Sequence, residues 1–167
     1  MPRRSHNAGF TLVELMVTLA VLGIMVGVAI PSVLAWMPAI YLKDTAYDLK
    51  GAMIRARSLA INEGREYRVL LDSANSTYRI EQGNLTSGST VWTTVLGPHP
   101  LGNGVSVTAT TAGIETDGAD PVLTFSSRGS VETSLDVLDI TLENSKSKTY
   151  TVSVRRRTGH PSLTKGS

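Results

Sequence analysis

The chain has 167 residues, 16 Lys and Arg against 14 Asp and Glu, 41% apolar side chains and no cysteine. That length holds one domain with a modest core, and the missing cysteines exclude a disulfide framework and any thiolate metal site. Loss of residues 1–9 would remove Arg3 and Arg4 and leave 14 bases against 14 acids, so whole-chain charge offers little attraction to a polyanion.

The first element is an apolar run over residues 10–30, behind the basic segment that carries Arg3 and Arg4. About twenty residues make roughly 30 Å of helix, the thickness of a bilayer's hydrocarbon core. A secretory signal peptide has a shorter apolar region followed by a small-residue cleavage site, and Val33-Leu34-Ala35 imitates such a site poorly. A signal anchor fits better, with Arg3 and Arg4 holding the N-terminus in the cytoplasm and everything after about Pro38 outside the inner membrane. An anchor alone leaves Glu14 unexplained. A carboxylate in a membrane helix costs about 3 kcal/mol at the centre and less near an end, and no Lys, Arg or His lies one helical turn away. A cut between Gly9 and Phe10 would create an amine one turn before Glu14. That amine could pair with its own glutamate or with that of a neighbouring helix. In the second case the carboxylate is satisfied only when subunits stack in register.

The stretch Gly9-Phe10-Thr11-Leu12-Val13-Glu14-Leu15 resembles the processing site of type IV pilin-like proteins. The resemblance implies cleavage after Gly9 by a membrane prepilin peptidase, methylation of the new N-terminus at Phe10 by the same enzyme, and an assembly role for Glu14. It also implies partners: other pilins or pseudopilins through the N-terminal helix, and the bacterial inner membrane before assembly.

Pro31 removes the backbone bond to the carbonyl of Gly27 and is expected to kink or loosen the helix. Gly23 and Gly27 have a small-xxx-small spacing that suits close helix approach, or are simply tolerated in a membrane helix. Trp36 and Tyr41 fall where interfacial aromatics belong. From residue 40 to 63 the pattern becomes amphipathic. Leu42, Ala46, Leu49, Met53, Ala56 and Ala60 form one stripe, and Lys43, Asp44, Asp48, Lys50, Arg55 and Arg57 lie largely off it. Gly64 is a natural left-handed C-cap. Seven strands follow, at 66–72, 77–82, 90–96, 105–110, 122–126, 138–143 and 149–155, separated by clusters of Gly, Asn, Asp, Ser and Pro. In the last of them Tyr150, Val152 and Val154 alternate with polar residues and give one buried face.

The expected fold is α+β and pilin-like: one long N-terminal helix, transmembrane in its first half and amphipathic in its second, packed on an antiparallel sheet or small β-sandwich. Three parts follow: a leader, 1–9; a transmembrane or filament-core helix, 10–37; and a periplasmic head, 38–167. The element order, with Arg55-Ala56-Arg57-Ser58-Leu59-Ala60-Ile61-Asn62, Phe125-Ser126-Ser127-Arg128-Gly129 and Val152-Ser153-Val154 before Thr158-Gly159, resembles minor pilins and pseudopilins of the GspH/FimT type. Many pilins hold the C-terminal edge with a disulfide loop, which this chain cannot form.

No HExxH pair, GxSxG elbow, P-loop or GxGxxG occurs, so neither cofactor nor catalysis is expected. Glu115, Asp117 and Asp120 surround Gly118 without EF-hand spacing and read as a polar surface loop. One charge run remains: Arg155-Arg156-Arg157, then His160 and Lys165, with no acid after Glu143. A strand ending in three arginines before a flexible tail suits phosphate contact without sequence reading. The resemblance adds that some FimT-type minor pilins bind DNA through C-terminal arginines. A solvated cluster protecting a strand edge, or contact with a neighbour's acidic face, suits the same residues. The expected role is a structural minor subunit of a type IV pilus or a type II secretion pseudopilus, with DNA capture as the alternative.

Overall fold

The computed structural model describes residues 10–112 and 114–166. The expected leader, residues 1–9 with Gly9, lies outside them. Helix α1 runs Leu12–Glu63 without interruption through Pro31 and Pro38. It belongs to two compact units, residues 1–37 and 38–167.

In the first unit every described apolar side chain from Phe10 to Trp36 is exposed. The second unit is built on the predicted stripe. Leu42, Ala46, Leu49, Met53, Ala56 and Ala60 are all buried, in one core with side chains from both sheets. Each large member contributes about 1.5–3 kcal/mol by leaving water. Gly64 takes the left-handed conformation expected of a cap (φ 64°). The Glu63 carboxylate accepts from Tyr67 (2.6 Å) and Gln82 (2.7 Å), so the helix end is tied to the first two strands.

Nine strands follow among the described residues: β1 (Tyr67–Asp72), β2 (Thr77–Gly83), β3 (Trp92–Pro100), β4 (Val105–Thr110), β5 (Glu115–Asp117), β6 (Asp120–Phe125), β7 (Val137–Asn144), β8 (Thr149–Arg155) and β9 (Pro161–Lys165). They form two antiparallel sheets, ordered β3-β2-β1-β6-β5 and β4-β7-β8-β9. In the first sheet Val69 pairs with Ile80 on one side and Leu123 on the other, and all three are core residues. In the second, Ile140 pairs with Val152, both fully buried. Val152 and Val154 are buried as the alternation requires, and Tyr150 is half-buried.

Two expectations need correction. The segment around Glu115 and Asp117 is not a loop but the short edge strand β5, turned by Gly118 onto β6. The C-terminal segment is not a flexible tail: residues 161–165 pair with β8 from Tyr150↔Lys165 to Val154↔Pro161. This answers how the C-terminal edge is held without cysteine. Backbone bonds do it, including one from Gly166 N to Thr149 O at 3.0 Å.

Candidate assembly helix and C-terminal arginine surface

Thr11 stands just before the helix, and its hydroxyl accepts from the Glu14 backbone amide at 3.2 Å. Thr11-x-x-Glu14 therefore has the spacing of a capping box. The return bond from the carboxylate is not made, and among the described residues the Glu14 side chain has no ion pair. Thr18 donates to the carbonyls of Glu14 and Leu15, at 2.9 Å each, as expected of a threonine in an apolar helix. The helix start thus presents an uncompensated carboxylate beside the exposed Phe10.

The head half of α1 has a second face that the sequence reading missed. Ile40, Tyr47, Ile54 and Ile61 recur every seven residues and are all exposed, between 43% and 54%. Gly51 lies between them with open space where a side chain would be. A seven-residue apolar spacing off the buried stripe matches a seam for another helix. The spacing was present in the sequence, masked by the stronger stripe of three- and four-residue spacing.

Three segments that carried the family resemblance meet at one point. Arg57, half-buried on α1, donates from Nε to the Gly129 carbonyl at 3.1 Å. Gly129 (φ 77°) and Gly159 (φ 58°) sit in left-handed turns. A Cβ on Gly129 would meet Ile61 Cδ1 at 2.6 Å, and one on Gly159 would collide with the Gly129 carbonyl. Distant glycines are needed here because the two turns pass too close to each other and to the Arg57 and Ile61 side chains to leave room for a Cβ.

Glu66, 1% exposed, fastens the β2–β3 loop by accepting from Gly88 N (2.8 Å) and Ser89 N (2.6 Å). Burial pushes its carboxyl up, but hydrogen bonds from Ser89, Gly88 and Glu132 outweigh that and hold it below the usual range. Burial, then the Glu66 charge, pushes Glu132 up. On the outer face of the first sheet Glu81 lies between Arg68 (2.6 Å) and Arg79 (2.7 Å), and Arg68 also pairs with Asp117 and stacks on Trp92. The other two acids of the 115–120 segment are likewise engaged by protein, Glu115 by Thr124 and Asp120 by the Ser73 amide. No metal-binding group of acids or histidines occurs among the described residues.

Arg155, Arg156 and Arg157 are exposed where β8 turns towards β9. Arg156 lines a cavity of about 480 Å³ with Ser130, Val131, Glu132, Thr133 and Asp136. Arg155 lines a second of about 340 Å³ with Val137 and Thr158, and Arg157 and Asp136 belong to both. None of the three arginines forms an ion pair with a described residue.

An exposed apolar N-terminal helix half, followed by a head half packed on two antiparallel sheets, defines a pilin-like subunit. The chain belongs to the type II transport protein GspH family, whose model matches residues 45–159. Residues 4–30 match the prokaryotic N-terminal methylation motif. Among solved structures the chain is similar to the minor pseudopilin EpsH from the type 2 secretion system of Vibrio cholerae (14% identity, 75% of this chain and 96% of that chain, TM-score 0.53). It is similar also to the type IV minor pilin FimU of Pseudomonas aeruginosa (15% identity, 75% and 88%, TM-score 0.53). At such identities these likenesses are of fold. No curated protein matches significantly. The protein is thus a minor pilin or pseudopilin, a structural subunit rather than an enzyme. Its methylation motif implies processing by a prepilin peptidase and assembly with other pilins or pseudopilins, and its apolar helix fits membrane anchoring.

Proposed function

We propose that this chain is a minor subunit of a type IV pilus or type II secretion pseudopilus, matured by cleavage after Gly9 and methylation at Phe10. Before assembly it is held in the bacterial inner membrane, N-terminus in the cytoplasm and head in the periplasm. The carrying observation is an apolar helix half, Phe10 to Trp36, with every described side chain exposed and one unpaired carboxylate near its start. Such a surface is stable only in lipid or against other helices. Glu14 pairs with the Phe10 amine of a neighbouring subunit, so cleavage must precede assembly and sets its register. The seam of Ile40, Tyr47, Ile54 and Ile61 extends helix contact into the head.

The test is the intact mass of protein extracted from membranes of cells carrying the filament machinery. The mass expected lacks residues 1–9 and includes one methyl group. A chain that still begins at Met1 in such cells overturns the reading.

A further inference from the structure

The two cavities beside the C-terminal arginines have an order of charge that is informative. Three consecutive arginines on one polypeptide would form a continuous positive track if they faced one way. Here they do not. Arg156 faces only the larger recess and Arg155 only the smaller, and Asp136 stands with Arg157 on the boundary between them. The surface therefore interleaves arginines with acids, Glu132 in the larger recess and Asp136 between the two. The Asp136 main chain is fixed in that place, because its carbonyl accepts from Arg156 N at 2.9 Å, while Arg156 O accepts from Val131 N at 2.9 Å. Each recess lies within the range of about 300–1,000 Å³ usual for ligand clefts. Three guanidinium groups and two carboxylates, Glu132 and Asp136, stand there without ion-pair partners among the described residues.

The geometry points to this double recess as the docking site for a short acidic segment of a partner polypeptide, another filament subunit. Two carboxylates of an extended segment reach Arg155 in one recess and Arg156 in the other, in the bidentate geometry that guanidinium favours. Between them a backbone or side-chain N–H of the ligand donates to Asp136. A peptide suits this order because it carries donors between its acids. A nucleic acid backbone does not, because its phosphates offer only acceptors and Asp136 repels them at the centre of the site. Glu132, which lines the larger recess beside Arg156, is a second acid that opposes a polyanion there.

The inference rests on the pilin reading in one respect only, that the partner is a filament subunit. The recess itself is tested on the isolated protein. The full-length chain in detergent is titrated with a labelled short alternating Glu–Thr peptide and, separately, with a duplex oligonucleotide of arbitrary sequence, at low and at physiological salt. The peptide is expected to bind, and Arg155→Glu with Arg156→Glu to weaken it at least about tenfold. An alternating Lys–Thr peptide should then gain affinity for the double variant, which shows that the variant is folded. Asp136→Asn decides the sign: it weakens the peptide severalfold if Asp136 accepts from the ligand. Peptide affinity that is unchanged in the double variant, or raised by Asp136→Asn, overturns the proposal. So does tighter binding of the duplex than of the peptide at physiological salt, which would return the arginines to DNA. Failure here leaves the intact-mass result untouched, and failure of that mass leaves peptide binding to be measured as before.

Discussion

The two halves of α1 share one backbone and solve opposite problems. From Leu12 to Trp36 the described apolar side chains are exposed and the one carboxylate has no partner. From Leu42 to Ala60 a single stripe is buried against the chain's own sheets. In the head the buried carboxylates have their partners within the chain, Glu66 in two loop amides and Glu81 in two arginines. Apolar surface and charge that a fold does not compensate internally must be compensated by something outside it. The second half therefore belongs to folding and the first to assembly.

The largest expected effect separates those roles. Glu14→Ala should be cleaved and methylated as the parent is, leave head stability unchanged, and lower incorporation into filaments by at least about tenfold, as loss of a desolvated charge pair would. Immunoblots of sheared filaments against whole cells measure it. Incorporation at the parental level would sink the assembly role. Core truncations draw the same line in thermal unfolding. Leu49→Ala, at a fully buried position, should cost the head about 2–5 kcal/mol. Leu19→Ala, at an exposed one, should leave the head transition in place. Ile54→Ser on the exposed seam should stay within about 0.5 kcal/mol yet reduce incorporation.

Glycines give a smaller, two-sided effect. Gly159→Ala meets a left-handed φ and a carbonyl in its path, so a loss of roughly 2 kcal/mol or more is expected. Gly51→Ala, in open space on the helix surface, should add about 0.5–1 kcal/mol. If both substitutions destabilise alike, the close approach of the Gly129 and Gly159 turns is not what holds that corner.

Most of the helix was legible because each half has one dominant period: an unbroken apolar run, then spacings of three and four. Strand interiors such as 105–110 and 149–155 were legible from alternation and turn residues, and the structure returns both with the same bounds. The strands that escaped, β5 and β9, are edge strands of three and five residues rich in Asp, Ser, Thr and Lys. An edge strand buries little, so its sequence keeps no apolar alternation to read. The Arg57–Gly129–Gly159 meeting point escaped for another reason. Its parts are 72 and 102 residues apart from Arg57, and a glycine's need for space is set by neighbours that sequence order does not name.

The smallest effect concerns how the head keeps buried acids, in contrast to Glu14. Glu66 and Glu132 share a hydrogen bond but are shifted in opposite directions. For Glu66 the folded value is depressed, so its contribution is present above the unfolded value and is lost as pH falls through the folded one. For Glu132 the folded value is raised. Its contribution is complete below the unfolded value, about 4.3, and is lost as pH rises through the folded one. At neutral pH the Glu132 charge is therefore a cost, imposed by burial and by Glu66. Glu132→Gln removes that charge and keeps a donor for Glu66. It should stabilise the head at about pH 7, by less than about 1 kcal/mol because the site is partly solvated, and the gain should vanish near pH 4. Paired melting curves at the two pH values measure it. A gain of equal size at both would mean that Glu132 acts through packing, and that the carboxyl pair is not the means by which the head holds Glu66.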